Sequence, residues 1–186
     1  MKPRPIPRIW LMTDPRIDAV LLASAQGLPR GSGIVLRHEG RGDRYRLFMA
    51  LRRIARRRGL MLFVKGDPRL ARRWQADGAH LGTPPRRLRK VAPRNLALSA
   101  SVHDRRELLA ARQIGCAVVH VSPVYPTRSH PGQRPIGAHG LRRIAAKTAI
   151  PVVALGGMTA ARARAVGRIA HGWAAIDGLA VRRTAR

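Results

Sequence analysis

Residues able to bind phosphate follow several short apolar segments of this 186-residue chain. Arg37 can bind a phosphate through two parallel N–H donors, whereas Lys65 supplies a compact point charge. The stretch Val118–Gly137 passes from β-branched residues into a polar segment with four prolines and two glycines. The side-chain donors of this segment include Thr127, Ser129 and His130. The pattern predicts a phosphate-binding loop that follows a buried strand.

A glycine pair follows a later apolar segment. Gly156 and Gly157 come directly after Pro151–Leu155 and precede a helical pattern. Amides without side chains at such a position are a common phosphate site in the late loops of α/β barrels, although plain strand-to-helix turns also use paired glycines. Ser101 and Gly178 lie at the ends of two further apolar segments and join the candidate set.

These residues need a scaffold that brings the ends of several strands together. Short apolar runs without alternation recur along the chain, and helical patterns separate them. Fully apolar strands separated by helices are typical of parallel sheets covered on both faces. The predicted strands are Arg8–Thr13, Gly33–Arg37, Leu60–Val64, Ala79–Leu81, Asn95–Ser101, Ala117–Val121, Pro151–Leu155 and Trp173–Ile176.

Helical patterns fill the intervals between these strands. Eight strand–helix units predict an α/β fold, a compact (β/α)8 TIM barrel whose last helix is short or absent. An open doubly wound sheet is the alternative, but no Gly-x-Gly-x-x-Gly follows the first strand. We expect a single barrel domain over residues 1–186. The predicted helices are Asp18–Gln26, Arg44–Arg58, Pro68–Gln75, Arg86–Val91, His103–Ile114, Leu141–Thr148 and Ala160–Ile169.

Composition limits the class of protein. No segment approaches the roughly 18 consecutive apolar residues of a membrane-spanning helix. The N-terminal MKPRPIPR lacks the apolar stretch of a signal peptide, so we expect a cytoplasmic protein with no membrane partner. Cys116 is the single cysteine and lies in an apolar run, which excludes an internal disulfide or a cysteine-based metal site. The oligomeric state does not follow from the sequence.

Positive charge is the unusual feature of the chain. Lys and Arg number 37 against 9 Asp and Glu, for a formal net charge of +28. Such a surface attracts polyanions, and an arginine-rich nucleic-acid-associated protein is therefore one alternative. However, the arginines are spread over almost every predicted helix, and aromatic residues make up only 4% of the chain. Solvated helix faces explain this distribution at least as well, so nucleic acid is not the favoured partner.

Five short stretches, taken in order, form a more specific pattern. They are IWLMTD at residues 9–14, DGAHLG at 77–82, SVHD at 101–104 with Glu107, SPVYPT at 122–127 with Gly137 and Leu141 beyond, and PVVALGGM at 151–158. Together they resemble the thiamine phosphate synthase/TenI family over most of Arg8–Gly178. The resemblance implies a compact (β/α)8 barrel, in agreement with the strand count.

The resemblance also implies a transferase of thiamine biosynthesis that acts on small phosphorylated substrates. In that reaction a hydroxymethylpyrimidine diphosphate loses diphosphate, and the nitrogen of a carboxylated thiazole phosphate captures the resulting carbocation. Mg²⁺ and cationic side chains are implied at the leaving diphosphate. By resemblance, Arg37 is the diphosphate-binding arginine, Ser101 the serine of strand five, Thr127 the threonine after strand six and Gly157 the glycine at the thiazole phosphate.

The residue predictions combine both lines of reasoning. The candidate catalytic residues are Arg37, Lys65, Ser101 and His130. The candidate substrate- and phosphate-binding residues are Thr127, Ser129, Gly156, Gly157 and Gly178. No protein metal ligand is predicted.

The chain departs from the family pattern around the implied metal site. The family has Gln-x-Arg-x-Lys at strand two, where this chain has Val35, Arg37 and Glu39. The family's Asn-Asp after strand three is Lys65-Gly66 here, and the acid after His-Leu-Gly is a proline. Both carboxylates expected to bind Mg²⁺ are therefore absent, although Lys65 can supply part of the same positive charge.

Further departures leave a second functional alternative open. His130 stands where the family has a lysine, and Asp177 where it has a serine. The tautomerase branch of the family carries a histidine where this chain has Pro123. The alternative is a catalytically impaired homologue that binds a thiazole phosphate or another small phosphate ligand without turnover.

Overall fold

Eight parallel strands close into a single barrel in the computed structural model, which describes residues 4–84, 96–129 and 131–181. Each strand pairs with the next one in sequence, and the last pairs with the first. The predicted (β/α)8 barrel is confirmed, and the open sheet is excluded. The strands are β1 (Ile9–Met12), β2 (Gly33–Leu36), β3 (Met61–Lys65), β4 (Gly78–His80), β5 (Ala97–Val102), β6 (Val118–Val121), β7 (Val152–Ala154) and β8 (Gly172–Ala175).

Helices connect most of the strands. They are α1 (Leu21–Gly27), α2 (Arg44–Arg58), α3 (Pro68–Arg73), α4 (Arg105–Gln113), α5 (Gly137–Ala145) and α6 (Ala160–Val166), with 3₁₀ helices at Pro15–Val20 and Asp177–Leu179. The predicted helix at Arg86–Val91 lies outside the described residues. None of the described helices is both long and apolar enough to cross a membrane.

Two connections differ from the predicted helices for local reasons. Pro15 and the side chain of Asp14, which accepts the N–H of Arg16, start a 3₁₀ helix, so α1 begins only at Leu21. Helix α5 begins at Gly137, earlier than predicted, because the N–H of Gly137 donates to the carbonyl of Val124 at 3.0 Å. The loop after β6 therefore sets the position of α5.

The interior of the barrel is filled by aromatic side chains opposite glycines. The rings of Trp10 and Phe63 pack edge to face, with centroids 5.1 Å apart. A Cβ atom at Gly33 would lie 2.2 Å from the Trp10 ring, and one at Gly78 would lie 2.4 Å from the Phe63 ring. Glycine at these two strand positions therefore makes room for the large rings, which close the barrel below its mouth.

Helix α2 shows where much of the positive charge lies. Its buried residues are Phe48, Leu51, Ile54 and Ala55, at helical spacing, and they pack in the hydrophobic core. Gly59 ends the helix in the left-handed conformation with φ 65°. Most of the basic side chains between these apolar positions remain partly or fully exposed. In α2, at least, arginine occupies the solvated face of a helix.

Candidate functional site

The candidate residues come from different strands and meet at the carboxyl ends of the barrel strands. Lys65 ends β3 and pairs in register with His80 of β4, which in turn pairs with Ser99 of β5. Arg37 follows β2 directly, and Ser101 lies near the end of β5. Since the strands are parallel, their carboxyl ends open on one mouth. Two adjoining cavities occupy this mouth.

The smaller cavity has a volume of about 240 Å³ and lies beside the ends of β6, β7 and β8. Arg37 reaches it from the opposite side of the barrel. The structure places all five predicted phosphate-binding residues in its wall: Thr127, Ser129, Gly156, Gly157 and Gly178.

Close backbone approaches shape the wall of the smaller cavity. Gly157 has φ +60°, and a Cβ atom there would lie 2.3 Å from the carbonyl oxygen of Pro126. A Cβ atom at Gly178 would lie 2.2 Å from the carbonyl oxygen of Met158. Both distances are far below van der Waals contact, so the wall requires glycine at these positions. Thr159 caps α6, so the glycine pair precedes the helix and does not form its first turn.

Side-chain contacts hold the loop after β6 against this wall. The guanidinium of Arg16 donates to Ser129 Oγ at 3.0 Å, and the N–H of Ser129 donates to Thr127 Oγ1 at 3.3 Å. Arg162 donates to the carbonyl of Gly157 at 2.5 Å and lies 4.7 Å from the centre of the Tyr125 ring. These contacts join the loop to segments before α1 and within α6.

The larger cavity has a volume of about 480 Å³ and lies over the ends of β1 to β7. Predicted catalytic residues Arg37, Lys65 and Ser101 line it, and Arg37 also lines the smaller cavity. Arg16 and Arg128 add two further guanidinium groups. The remaining predicted catalytic residue, His130, lies outside the described residues.

Each cation of the larger cavity is paired with a carboxylate. Arg37 donates to Asp14 at 3.0 Å, and Arg16 contacts the other oxygen of the same carboxylate at 3.1 Å. Burial lowers the pKa of Arg37, and the charge of Asp14 opposes this shift. In the two remaining pairs, Lys65 Nζ lies 2.6 Å from Glu39 Oε2, and Arg128 lies 2.9 Å from Asp177 Oδ1.

A buried histidine holds Ser101 in place. His80 Nδ1 lies 2.9 Å from Ser99 Oγ, and His80 Nε2 lies 3.2 Å from Ser101 Oγ. Burial lowers the pKa of His80 well below its usual value, with smaller contributions from the charges of His120, Arg37 and Lys65. The neutral ring therefore donates to one serine and accepts from the other. His80 is therefore a hydrogen-bonded structural histidine.

Comparison with known proteins gives the family of this chain. A family model described as thiamine monophosphate synthase (TMP-TENI) matches residues 11–183. The chain belongs to the thiamine monophosphate synthase family. The thiamine-phosphate synthase of Pyrococcus horikoshii is 32% identical over 180 residues, a match that covers 94% of this chain and 84% of that protein. The corresponding Pyrococcus abyssi protein is 29% identical over 180 residues, with the same coverage.

A solved structure supports the same family assignment. The thiamine phosphate pyrophosphorylase from Pyrococcus furiosus superposes with a TM-score of 0.78 at 30% sequence identity. The superposition covers 94% of this chain and 87% of that structure. Membership of this family does not favour the two alternatives, an impaired phosphate-binding homologue and a nucleic-acid-associated protein.

The mouth of this family member lacks the two carboxylates that the resemblance implies as Mg²⁺ ligands, since Lys65-Gly66 and a proline stand in their places. Among residues 4–84, 96–129 and 131–181, no three His, Cys, Asp or Glu side chains are arranged to hold a metal ion. Asp67, the acid nearest in sequence to Lys65, caps α3 by accepting the N–H of Arg69 at 2.7 Å. The chemistry proposed for this protein is therefore assigned to its own side chains.

Sequence reasoning missed two arginines of the site. Arg16 lies in the 3₁₀ helix after β1, yet it contacts Asp14, Ser129 and Asp177. Arg128 lies in the phosphate loop but carried no distinguishing signal in a chain so rich in arginine. In the sequence, Asp14 stands at the end of an apolar strand. This acidic residue was the one indication that a cation would lie near the end of β1.

Proposed function

We propose that this protein is a thiamine-phosphate synthase, which joins hydroxymethylpyrimidine diphosphate to carboxythiazole phosphate and releases diphosphate and the thiazole carboxylate as CO2. The observation that carries the proposal is the pair of adjoining cavities at one barrel mouth, with the guanidinium of Arg37 in the wall of both. Two phosphorylated substrates that react with each other need two such cavities side by side. Membership of the thiamine monophosphate synthase family supports the same reaction.

We assign the diphosphate to the larger cavity, because Arg16, Arg37, Lys65 and Arg128 line it. The C–O bond of the pyrimidine methylene breaks, and the electron pair leaves with the diphosphate. Negative charge accumulates on the departing oxygens, and guanidinium and ammonium groups stabilise it there. Arg37 and Lys65 thus lower the barrier by electrostatics and require no proton transfer of their own.

We assign the thiazole phosphate to the smaller cavity. Glycine backbone at Gly157 and Gly178 leaves space for phosphate oxygens, and Thr127 and Ser129 supply hydroxyl groups. Because the two cavities share Arg37, the thiazole nitrogen comes next to the methylene carbon, where the new C–N bond forms. Ser101, held by His80, contributes a fixed hydroxyl group at the wall of the larger cavity.

The proposal is tested by incubating the purified protein with both substrates and separating the products by chromatography. Thiamine phosphate should form, and it should be missing when either substrate is omitted. A Gly42→Ala variant is the matched control, since Gly42 has open space around it and lies away from both cavities. If no thiamine phosphate forms with or without added Mg²⁺, the synthase proposal is wrong.

Three broader expectations belong to the same proposal. We propose that one barrel domain spanning the chain carries the activity, that the protein is cytoplasmic, and that His130 contributes to the site. Limited proteolysis tests the first, cell fractionation the second, and activity of a His130→Ala variant the third.

A further inference from the structure

The carboxylates of this chain are already bound to other groups. The sequence contains 9 Asp and Glu residues, all within the described part of the chain. At the mouth, Asp14 is bound by Arg16 and Arg37, and Glu39 is bound by Lys65. The remaining acids meet arginine, histidine or backbone N–H partners; they are Asp18, Asp43, Asp67, Asp77, Asp104, Glu107 and Asp177.

One segment that contributes to the mouth contains no acidic residue. Between Asp77 and Asp104 the sequence has no Asp or Glu, so the segment from the start of β4 through β5 cannot supply a carboxylate. Among the described residues lining the larger cavity, Asp14 is the one acid, against three arginines and Lys65. Glu39 and Asp177 pair with Lys65 and Arg128, so four cations face three carboxylates and the cavity keeps a net positive charge that favours an anion.

The pair formed by Lys65 and Glu39 is partly accessible to solvent. Their side chains are 35% and 45% exposed, and Nζ lies 2.6 Å from Oε2. Exposed ion pairs contribute little net stability, so a ligand anion can compete with the carboxylate. The backbone around Lys65 is fixed, because its carbonyl accepts from Arg44 and the N–H of Gly66 donates to the carbonyl of His80 at 2.9 Å.

Gly66 is part of the same arrangement. Its φ is +115°, and a Cβ atom there would lie 3.3 Å from Glu39 Oε1. Glu39 thus lies against a residue without a side chain, with its carboxylate at the ammonium group. The carboxylate of Glu39 neutralises the charge of Lys65 in this structure.

We propose that the larger cavity binds diphosphate without a divalent metal, and that the ligand replaces Glu39 as the partner of Lys65. This inference rests on the proposed function only for the identity of the anion as diphosphate. Arg37 remains bound to Asp14 and contributes a second fixed cation. The ammonium group thus supplies charge at the position where the family resemblance implies a metal ion.

Calorimetric titration of the purified full chain with inorganic diphosphate in EDTA tests the proposal. Diphosphate should bind in EDTA, and added Mg²⁺ should leave binding unchanged or weaken it, because Mg²⁺ reduces the charge of free diphosphate. Binding that needs Mg²⁺, or that Mg²⁺ strengthens, would overturn the proposal.

Two variants make the test specific to the Lys65–Glu39 pair. Lys65→Met should weaken diphosphate binding about 10- to 100-fold, since a charge-assisted hydrogen bond is lost. Glu39→Gln should strengthen it about two- to fivefold at low salt, because the competing carboxylate is removed. Lys147→Met, at an exposed lysine after α5, is the matched control and should change nothing. Unchanged or weaker binding by Glu39→Gln would contradict the exchange of partners.

The outcomes separate this inference from the synthase proposal. Diphosphate binding in EDTA without formation of thiamine phosphate would leave the metal-free site standing and remove the synthase function. Formation of thiamine phosphate only with Mg²⁺ would support the synthase function and contradict the metal-free site. Thermal unfolding of each variant shows whether a loss of binding reflects a loss of folded protein.

Discussion

The two cavities of the mouth differ in what forms their walls, and we expect them to recognise anions by different physical means. The smaller cavity is shaped largely by backbone, with Gly157 and Gly178 where any side chain would collide with a neighbouring carbonyl. The larger cavity is formed by charged side chains, led by Arg37 and Lys65, each with a carboxylate partner. Sterically defined recognition should fail abruptly on substitution, whereas electrostatic recognition should weaken in steps and respond to salt. The following predictions test this difference.

The largest effect is expected at Gly157. A Gly157→Val side chain would meet the carbonyl of Pro126, so the loop must move by an ångström or more. Displacement of that size can lower the rate about 100-fold or more. Steady-state measurements should show loss of activity and of thiazole phosphate binding, with diphosphate binding retained. Gly42→Ala is the control, and comparable losses at both cavities would show that the two are not separate.

Substitution of Arg37 should affect both cavities. Arg37→Met removes a charge-assisted donor from each, and we expect each ligand to bind about 10- to 100-fold more weakly. Separate titrations with diphosphate and thiazole phosphate measure this. If only diphosphate binding changes, Arg37 serves the larger cavity alone and the shared wall has no energetic role.

The interior beneath the larger cavity should remain neutral. Burial lowers the pKa of His120 to about 4, with the backbone of Ala100 opposing the shift, and its ring packs edge-on against Trp10 and His80. Because the unfolded chain binds the proton more tightly, stability should fall as pH drops from about 6.5 towards 4. Protonation of this residue should raise the equilibrium constant for unfolding by up to about tenfold for each pH unit of acidification. Over the whole range, the free energy of unfolding should fall by about 3 kcal/mol.

Denaturant titrations of a His120→Leu variant at several pH values measure this contribution. Its free energy of unfolding should depend less steeply on pH between those limits than that of the unaltered protein. A variant at the exposed His139, His139→Asn, should keep the original slope. An unchanged slope in His120→Leu would mean that this ring does not titrate differently in the folded protein.

The smallest effect is expected from salt. Raising ionic strength from about 0.1 M to 1 M shortens the screening length from about 10 Å to about 3 Å. Diphosphate binding at the larger cavity should weaken several-fold, and thiazole phosphate binding should weaken less. Equal salt dependence for the two ligands would contradict the distinction between the cavities.

Much of the fold could be predicted because its signals are local. Apolar runs such as Pro151–Leu155 and helix ends such as Gly59 depend on neighbouring residues, and the eight strands were placed within a few residues of their observed limits. The start of α5 was placed too late, because backbone hydrogen bonds to the loop after β6 set it. The candidate phosphate-binding residues could be selected from the sequence because the strand ends share one mouth in a parallel barrel.

The partners of the charged residues could not be predicted. Arg16 and Ser129 are separated by 113 positions in the chain and meet only because β1 and β6 open on the same mouth. With 37 basic residues against 9 acidic ones, the sequence allows many pairings for each carboxylate. Which pairing forms depends on distance and burial, since the attraction between two charges weakens with separation and with solvent.

The sequence alone therefore determined the order of strands, the glycines that permit close backbone approach and the lack of acids between Asp77 and Asp104. These properties depend on residue type and local spacing. The tertiary structure decided that Arg37 reaches both cavities and that Lys65 takes Glu39 as its partner. Those facts depend on the closure of the barrel, which brings side chains from separate strands within a few ångströms of one another.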